Sequence, residues 1–149
     1  MLIRGFSFPD ELHYLVEHQV WARLEDDGAA ARVGITALGI HLAGGEIYMA
    51  RPKMVGAAVV QGGSVGVVEL AKAIVSVKSP VTGTVVEVNA RLAAAPELVH
   101  RDPYGEGWLA RLTLTDFGAD RAALVHGAAA VQPAMEHHAW LNRVGPDGG

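Results

Sequence analysis

From Ala57 to Leu92 the chain is a run of valine and isoleucine cut at short intervals by glycine and proline: AAVVQGGSVGVVEL, AIVSVKSP, TGTVVEVNARL. β-Branched side chains suit a pleated, half-buried surface, and so close a spacing of glycine and proline leaves no length for a helix. The stretch therefore predicts short strands. Gly62-Gly63 and Thr82-Gly83 are expected as turns, with a tight connection near residues 72–73 between two antiparallel strands. A hairpin tip projects into solvent, and this one carries Lys72 between Ala71 and Ala73. An exposed turn lysine is ordinarily just solvated. Here the small neighbours leave its amine open to a macromolecule, and the four-carbon stem suits amide attachment. Lys78 is the rival lysine, but it lies beside Ser79-Pro80, off the midpoint of the stretch.

The flanks read as more β structure. QVWARLEDDG alternates Val20, Ala22 and Leu24 with polar partners up to the Asp27-Gly28 turn signal, and ARVGIT follows, so residues 20–35 predict a hairpin. Pro9-Asp10-Glu11 is expected to start one helical turn with Leu12, Leu15 and Val16 facing inward. ALGIHLAGG fits a helical turn or a loop closed by Gly44-Gly45, and EIYMARP reads as a strand terminated by Pro52. ARLAAAPELVH reads as a short irregular or helical connection, DPYGEG as a loop and WLARLTLTD as a last strand. From Phe117 to Val144 alanine, histidine and leucine take over. Ala119 to Val125 reads as helical, Pro133 as the first turn of a helix to about Leu141, and GPDGG as a loose tail. The expectation is one domain over residues 1–149, with a β core over about 18–116 and a helical cap over about 117–144.

Composition narrows the function. The chain has 149 residues, a formal net charge of -4 and scattered basic residues, so no basic stripe marks a nucleic-acid partner. With no cysteine, disulfides and thiolate chemistry are excluded, and redox work must come from a cofactor or a partner. The opening MLIRGFSFPDELH lacks an apolar core for a signal peptide, and the apolar run from Met54 to Val68 is too short and broken to span a bilayer. A cytoplasmic protein with no membrane partner is expected. Glu136-His137-His138 reads as surface and not as a metal site, because adjacent histidines point to different helix faces. Asp102 and Glu106 read as parts of a structural loop.

Three segments carry a resemblance. GVVELAKAIVSVKSPVTGTVVEVN is similar to the lipoyl-attachment segment of the glycine cleavage H-protein family, with Gly66 six residues before Lys72, Glu69 three before it and Pro80 eight after it. Glu97 to Leu109, ELVHRDPYGEGWL, resembles the family's P-E-L-V-N-x-D-P-Y-G-E-G-W-L, and ARLEDDGAAARVGIT its V-R-V-E-G-D-G-x-A-x-V-G-I-T. The three occur in the family's order. Biotin carriers resemble M-K-M at the tip, and the D-K-A lipoyl domains of 2-oxoacid dehydrogenases lack a DPYGEGW segment, so neither fits as well.

The resemblance implies a mainly β fold, a flattened β-sandwich (barrel-sandwich hybrid or hammerhead) with short helices at both ends. It implies a non-catalytic carrier with lipoate in amide linkage on Lys72. Gly66, Glu69, Ala71 and Ala73 would be read by a lipoate ligase or lipoyl transferase. His18, Tyr104 and Trp108 are expected as groove-lining or supporting residues.

Leu70 stands where the family usually has serine, Val75-Ser76 replaces an acidic step, and the chain runs roughly 40 residues beyond Trp108. These departures resemble the lipoate-binding branch of bacterial sulfur oxidation, so the favoured client is a heterodisulfide-reductase-like complex. The alternative clients are glycine decarboxylase, aminomethyltransferase and dihydrolipoamide dehydrogenase. Two other classes are an unmodified β-sandwich interaction module and a small enzyme using His18 or His41 as a base.

Overall fold

The computed structural model describes residues 1–146. The strands in chain order are β1 (Leu2–Ile3), β2 (Phe6–Ser7), β3 (His13–Leu15), β4 (Val20–Glu25), β5 (Ala30–Ile35), β6 (Met49–Pro52), β7 (Ala58–Val59), β8 (Ser64–Glu69), β9 (Ile74–Lys78), β10 (Gly83–Val88), β11 (Ala110–Leu114) and β12 (Val125–His126). Four α-helices join them: α1 (Ala37–Ala43), α2 (Leu98–Arg101), α3 (Phe117–Asp120) and α4 (Ala128–Leu141). All strand pairs are antiparallel. They make a seven-stranded sheet in the order β12-β3-β4-β5-β11-β10-β7, a three-stranded sheet β6-β8-β9 and a small β1-β2 ribbon. The mainly β class and the C-terminal helices are as the sequence predicts. No helix among the described residues is long and apolar enough to cross a membrane.

Successive side chains of a strand point to opposite faces, and β4 shows what that does here. Val20 and Ala22 enter a core shared with Val33, Leu112 and Val85 of the large sheet and Val65, Val68 and Val77 of the small one. Between them Trp21 points the other way, into a second core with Phe8, Leu12, Tyr14 and the α4 residues Val131 and Met135. One face of the large sheet packs on the small sheet, the other on the terminal segments. The β4–β5 hairpin turns at Asp26, Asp27 and Gly28, all at positive φ, as the Asp27-Gly28 signal requires.

Several expectations are corrected. Pro9-Asp10-Glu11 starts no helix: Leu12 through Leu15 are all buried, because β3 has cover on both faces, and the Tyr14 hydroxyl donates to the Pro9 carbonyl at 2.6 Å. Of the two readings of ALGIHLAGG the helical one holds: Ala37–Ala43 is a helix, capped by the Thr36 side chain on the Gly39 amide and closed by Gly44 and Gly45 at positive φ. Gly83 is not a turn residue but the start of β10, where a Cβ would stand 2.0 Å from the Thr113 carbonyl oxygen.

Ala119–Val125 is helical only as far as a 3-10 turn at Arg121–Ala123. Val125 then joins His126 in β12, which pairs with β3 at the sheet edge. Pro133 lies inside α4, which starts at Ala128. It removes one hydrogen-bond donor without stopping the helix. Of the GPDGG tail, residues 147–149 lie outside the described residues.

Candidate functional site

β8 and β9 remain paired up to Glu69 and Ile74, and the Leu70 amide donates to the Ala73 carbonyl at 2.9 Å, closing the hairpin around Ala71 and Lys72. β6 flanks β8 on the other side, where the Tyr48 amide donates to the Glu69 carbonyl at 2.8 Å. The backbone is therefore fixed almost to the tip. Beyond it Ala71, Lys72 and Ala73 are exposed, and so is Ile74, at 70%. The ion pairs among the described residues take in arginines and the amino terminus, and Lys72 enters none of them. This is an amine presented on a rigid stem.

Gly66 has a packing reason to be glycine. It is buried opposite Pro52, where a Cβ would stand 2.7 Å from the Arg51 carbonyl oxygen. Glu69 is half-buried beside the tip. Lys78 lies at the far end of β9, its ammonium donating to the Ser76 hydroxyl at 3.2 Å.

Two hollows adjoin the hairpin. A groove of about 280 Å³ beside the tip is lined by Lys72, Leu70, Ala73, Gly44, Glu46 and Tyr48. A smaller apolar cavity of about 60 Å³ lies between α1 and the β8–β9 hairpin, lined by His18, Val20, Ile40, Val68, Val75 and Val77 among others. Of the three residues expected to line a groove or support it, only His18 reaches a hollow next to the hairpin.

Tyr104 instead holds the start of α1. Its hydroxyl accepts from the Ala37 amide at 3.0 Å and donates to the Ser7 carbonyl at 2.5 Å, and burial raises its pKa. Trp108 packs in the second core with the Arg32 guanidinium 4.4 Å from its ring. The DPYGEGW segment is thus a clamp. Asp102 accepts from the Glu106 amide at 2.9 Å, and Asn89 donates to the carbonyls of Glu106 and Trp108 at 2.7 and 2.9 Å.

Glu136 pairs with Arg4 at 2.8 Å, while His137 is exposed. His41 lies against Phe6, ring centroids 5.0 Å apart. Sequence reasoning missed Glu46, Tyr48 and the α1 residues Ile40 and Ala43. They reach the hairpin only through the fold, and their one local signal is EIY directly after a glycine pair.

The glycine cleavage H-protein family model matches residues 12–137. The glycine cleavage system H protein of Marinobacter nauticus is 43% identical over 112 residues, which is 75% of this chain and 84% of that protein. Glycine cleavage system H protein 2 of Aquifex aeolicus is 39% identical over 134 residues, 90% of this chain and 82% of that protein. The crystal structure of the glycine cleavage system H protein from Mycobacterium marinum superposes with a TM-score of 0.70 at 28% identity, covering 91% of this chain and 99% of that one. The chain belongs to the glycine cleavage H-protein family, whose members are not catalysts but carriers of a covalent lipoate on a lysine.

Proposed function

We propose that Lys72 is the lipoate-bearing lysine and that the protein works as the H protein of glycine cleavage, carrying the aminomethyl group between enzymes. The observation that carries this reading is the tip itself, an exposed and unpaired amine between two alanines on a hairpin stitched nearly to its end. The bound group supplies a dithiolane on a long arm. The protein holds that arm by one amide, which keeps it at high effective concentration for every enzyme that docks.

The residues fit such a group. The amine stands clear of the backbone, and an apolar cavity and a larger groove, both bordered by Ala43 of α1, open along the same hairpin. His18 stands at the cavity, where it would help shelter the arm, and Tyr104 fixes the helix that forms one wall. Glu69, Ala71 and Ala73 are the side chains a lipoate ligase or lipoyl transferase would meet first. Gly66 serves it indirectly, by letting β6 and β8 approach. The partners that follow are glycine decarboxylase, aminomethyltransferase and dihydrolipoamide dehydrogenase.

The heterodisulfide-reductase-like client expected from the sequence draws no support from the relatives described above. One observation keeps it as a second reading. β9 carries no acidic residue, and Ile74 and Tyr48 expose 70% and 57% of their surface around the tip, an apolar collar that suits a different docking face. The lipoylated protein should be offered to glycine decarboxylase with glycine and pyridoxal phosphate, beside an authentic H protein. Loading comparable to the control supports the glycine cleavage reading. Failure to load, with the control active, transfers support to the sulfur client.

A further inference from the structure

His13 on β3 and His126 on β12 are cross-strand partners whose rings stack with centroids 3.9 Å apart and planes 10° apart. Phe117 meets the His13 ring edge-on at 5.1 Å, and the Arg121 guanidinium lies 5.3 Å from the Phe117 ring centroid. His13 is only 8% exposed, and its Nδ1 has no hydrogen-bond partner. Nδ1 of His126 is 2.8 Å from the Leu12 carbonyl. A shared metal does not fit this geometry. Ligand bonds to one ion would splay the rings, and no group of three metal-binding side chains exists among the described residues. What the stack does is fasten a two-residue strand, and with it the C-terminal segment, to the edge of the large sheet.

That segment reaches the hairpin site through the 3-10 turn at Val16–His18, on which α4 packs, and through Gln19 beside it. Gln19 is 3% exposed and sits at positive φ, between His18 of the cavity wall and β4. Its Nε2 donates to Met135 Sδ of α4 at 3.2 Å and to the Val16 carbonyl at 2.8 Å. Its Oε1 accepts from the Thr36 hydroxyl at 2.7 Å, and Thr36 Oγ1 in turn accepts from the Gly39 amide at 3.0 Å. Gly39 packs so closely on Gln19 that a Cβ there would lie 2.8 Å from the Gln19 Cβ. α4, Gln19, Thr36 and α1 thus form one continuous contact, and His18, Gly39 and Ile40 at its end line the apolar cavity.

We infer that the segment from Phe117 to Leu141 braces the wall of the arm cavity, and that the His13–His126 stack is an acid-sensitive latch for that brace. The functional meaning rests on the lipoyl-carrier reading, whereas the latch itself does not. Protonating His13 in the closed state would put a charge in a buried site against His126 and Arg121, with no acid facing it from β4, where Ala22 is its partner. Burial first, then His126 and Arg121, lower its pKa from 6.5 to about 4.

The released histidine takes up a proton more readily than the latched one. The latch is therefore fully effective above about pH 6.5 and weakens as the pH falls toward 4. His138 on α4 is also held low, by burial and by His137, so acid acts on that helix at a second point.

The test is hydrogen exchange on the unmodified protein at about pH 7.5 and about pH 5, corrected for the intrinsic pH dependence of exchange, where ordinary carboxylates are still ionised. Opening of the C-terminal segment is expected to increase about 30-fold. Amides of residues 16–20 and 36–40 should lose protection with it. His13→Phe keeps an aromatic ring in the cage and should abolish most of the rise, the remainder belonging to His138.

Equal protection at both pH values, or an undiminished rise in His13→Phe, overturns the latch. A C-terminal rise that leaves residues 16–20 and 36–40 protected overturns the brace. If His13→Phe does not fold, His126→Phe serves: with one cause of the lowered His13 pKa removed, it should retain a smaller rise that starts at the same pH and levels off sooner. Complete loss of the rise would assign the titration to His126 and overturn the assignment to His13. None of these readouts depends on Lys72 carrying a lipoyl group, so a failed latch and a failed carrier reading are told apart.

Discussion

The β4–β5 hairpin has cover on both faces, with Val20 and Ala22 in one core and Trp21 in the other, and its turn is backed by a network of ion pairs from Arg32 and Arg111 to Glu25 and Asp26. The β8–β9 hairpin is covered at its base, where Val65, Val68 and Val77 are buried, and bare at its tip. Both are antiparallel pairs drawn from the same apolar vocabulary. In the first most strand positions are committed to packing and the charged ones, Arg23, Glu25 and Arg32, to ion pairs, so little of the sequence there is free. In the second the commitment fades along the strand, and the last residues are free to be chosen for a partner. A carrier needs both: a stem that does not bend and a tip that belongs to no core.

That contrast can be broken at its rigid end first. Trp21→Ala removes a fully buried ring that also donates to the Ile35 and Pro103 carbonyls at 3.2 and 3.1 Å. It should cost about 3–5 kcal/mol in urea denaturation. Gly66→Ala tests the base of the presenting hairpin. The added methyl meets the Arg51 carbonyl, and a loss of about 1–3 kcal/mol is expected, with slower lipoylation as a consequence of a displaced β6. If Gly66→Ala is neutral in stability and still poorly lipoylated, the glycine is read directly by the ligase. At the tip, Ala73→Ser and Glu69→Ala should each stay within about 0.5 kcal/mol of wild type. Glu69→Ala should nevertheless slow lipoylation, and an unchanged rate would remove Glu69 from the recognition surface.

The sequence was most readable where one local rule decided the structure. Alternation plus Asp27-Gly28 set the β4–β5 hairpin, and the glycine, glutamate and proline spacing around Lys72 marked the presenting one. It was least readable where distant partners decide. β12 is two residues long, too short for any periodic signal, and is a strand only because β3 offers it an edge more than a hundred residues away. Pro133 is a good first-turn residue in general, yet α4 starts upstream of it, because the three alanines at 128–130 extend the helix. The four-residue run Leu12–Leu15 looked helical because its two-sided burial hides the alternation of a strand. The cavity is assembled from the 3-10 turn at Val16–His18, α1 and the hairpin, so no single stretch of sequence contains it.

The central claim is that the tip lysine, and not the lysine at the foot of the same strand pair, takes the cofactor. Co-expression with a lipoate ligase, followed by intact mass measurement of wild type, Lys72→Arg and Lys78→Arg, tests it most directly. The account predicts the added mass of one lipoyl group on wild type and on Lys78→Arg, and none on Lys72→Arg. A Lys72→Arg protein that still gains that mass would contradict it.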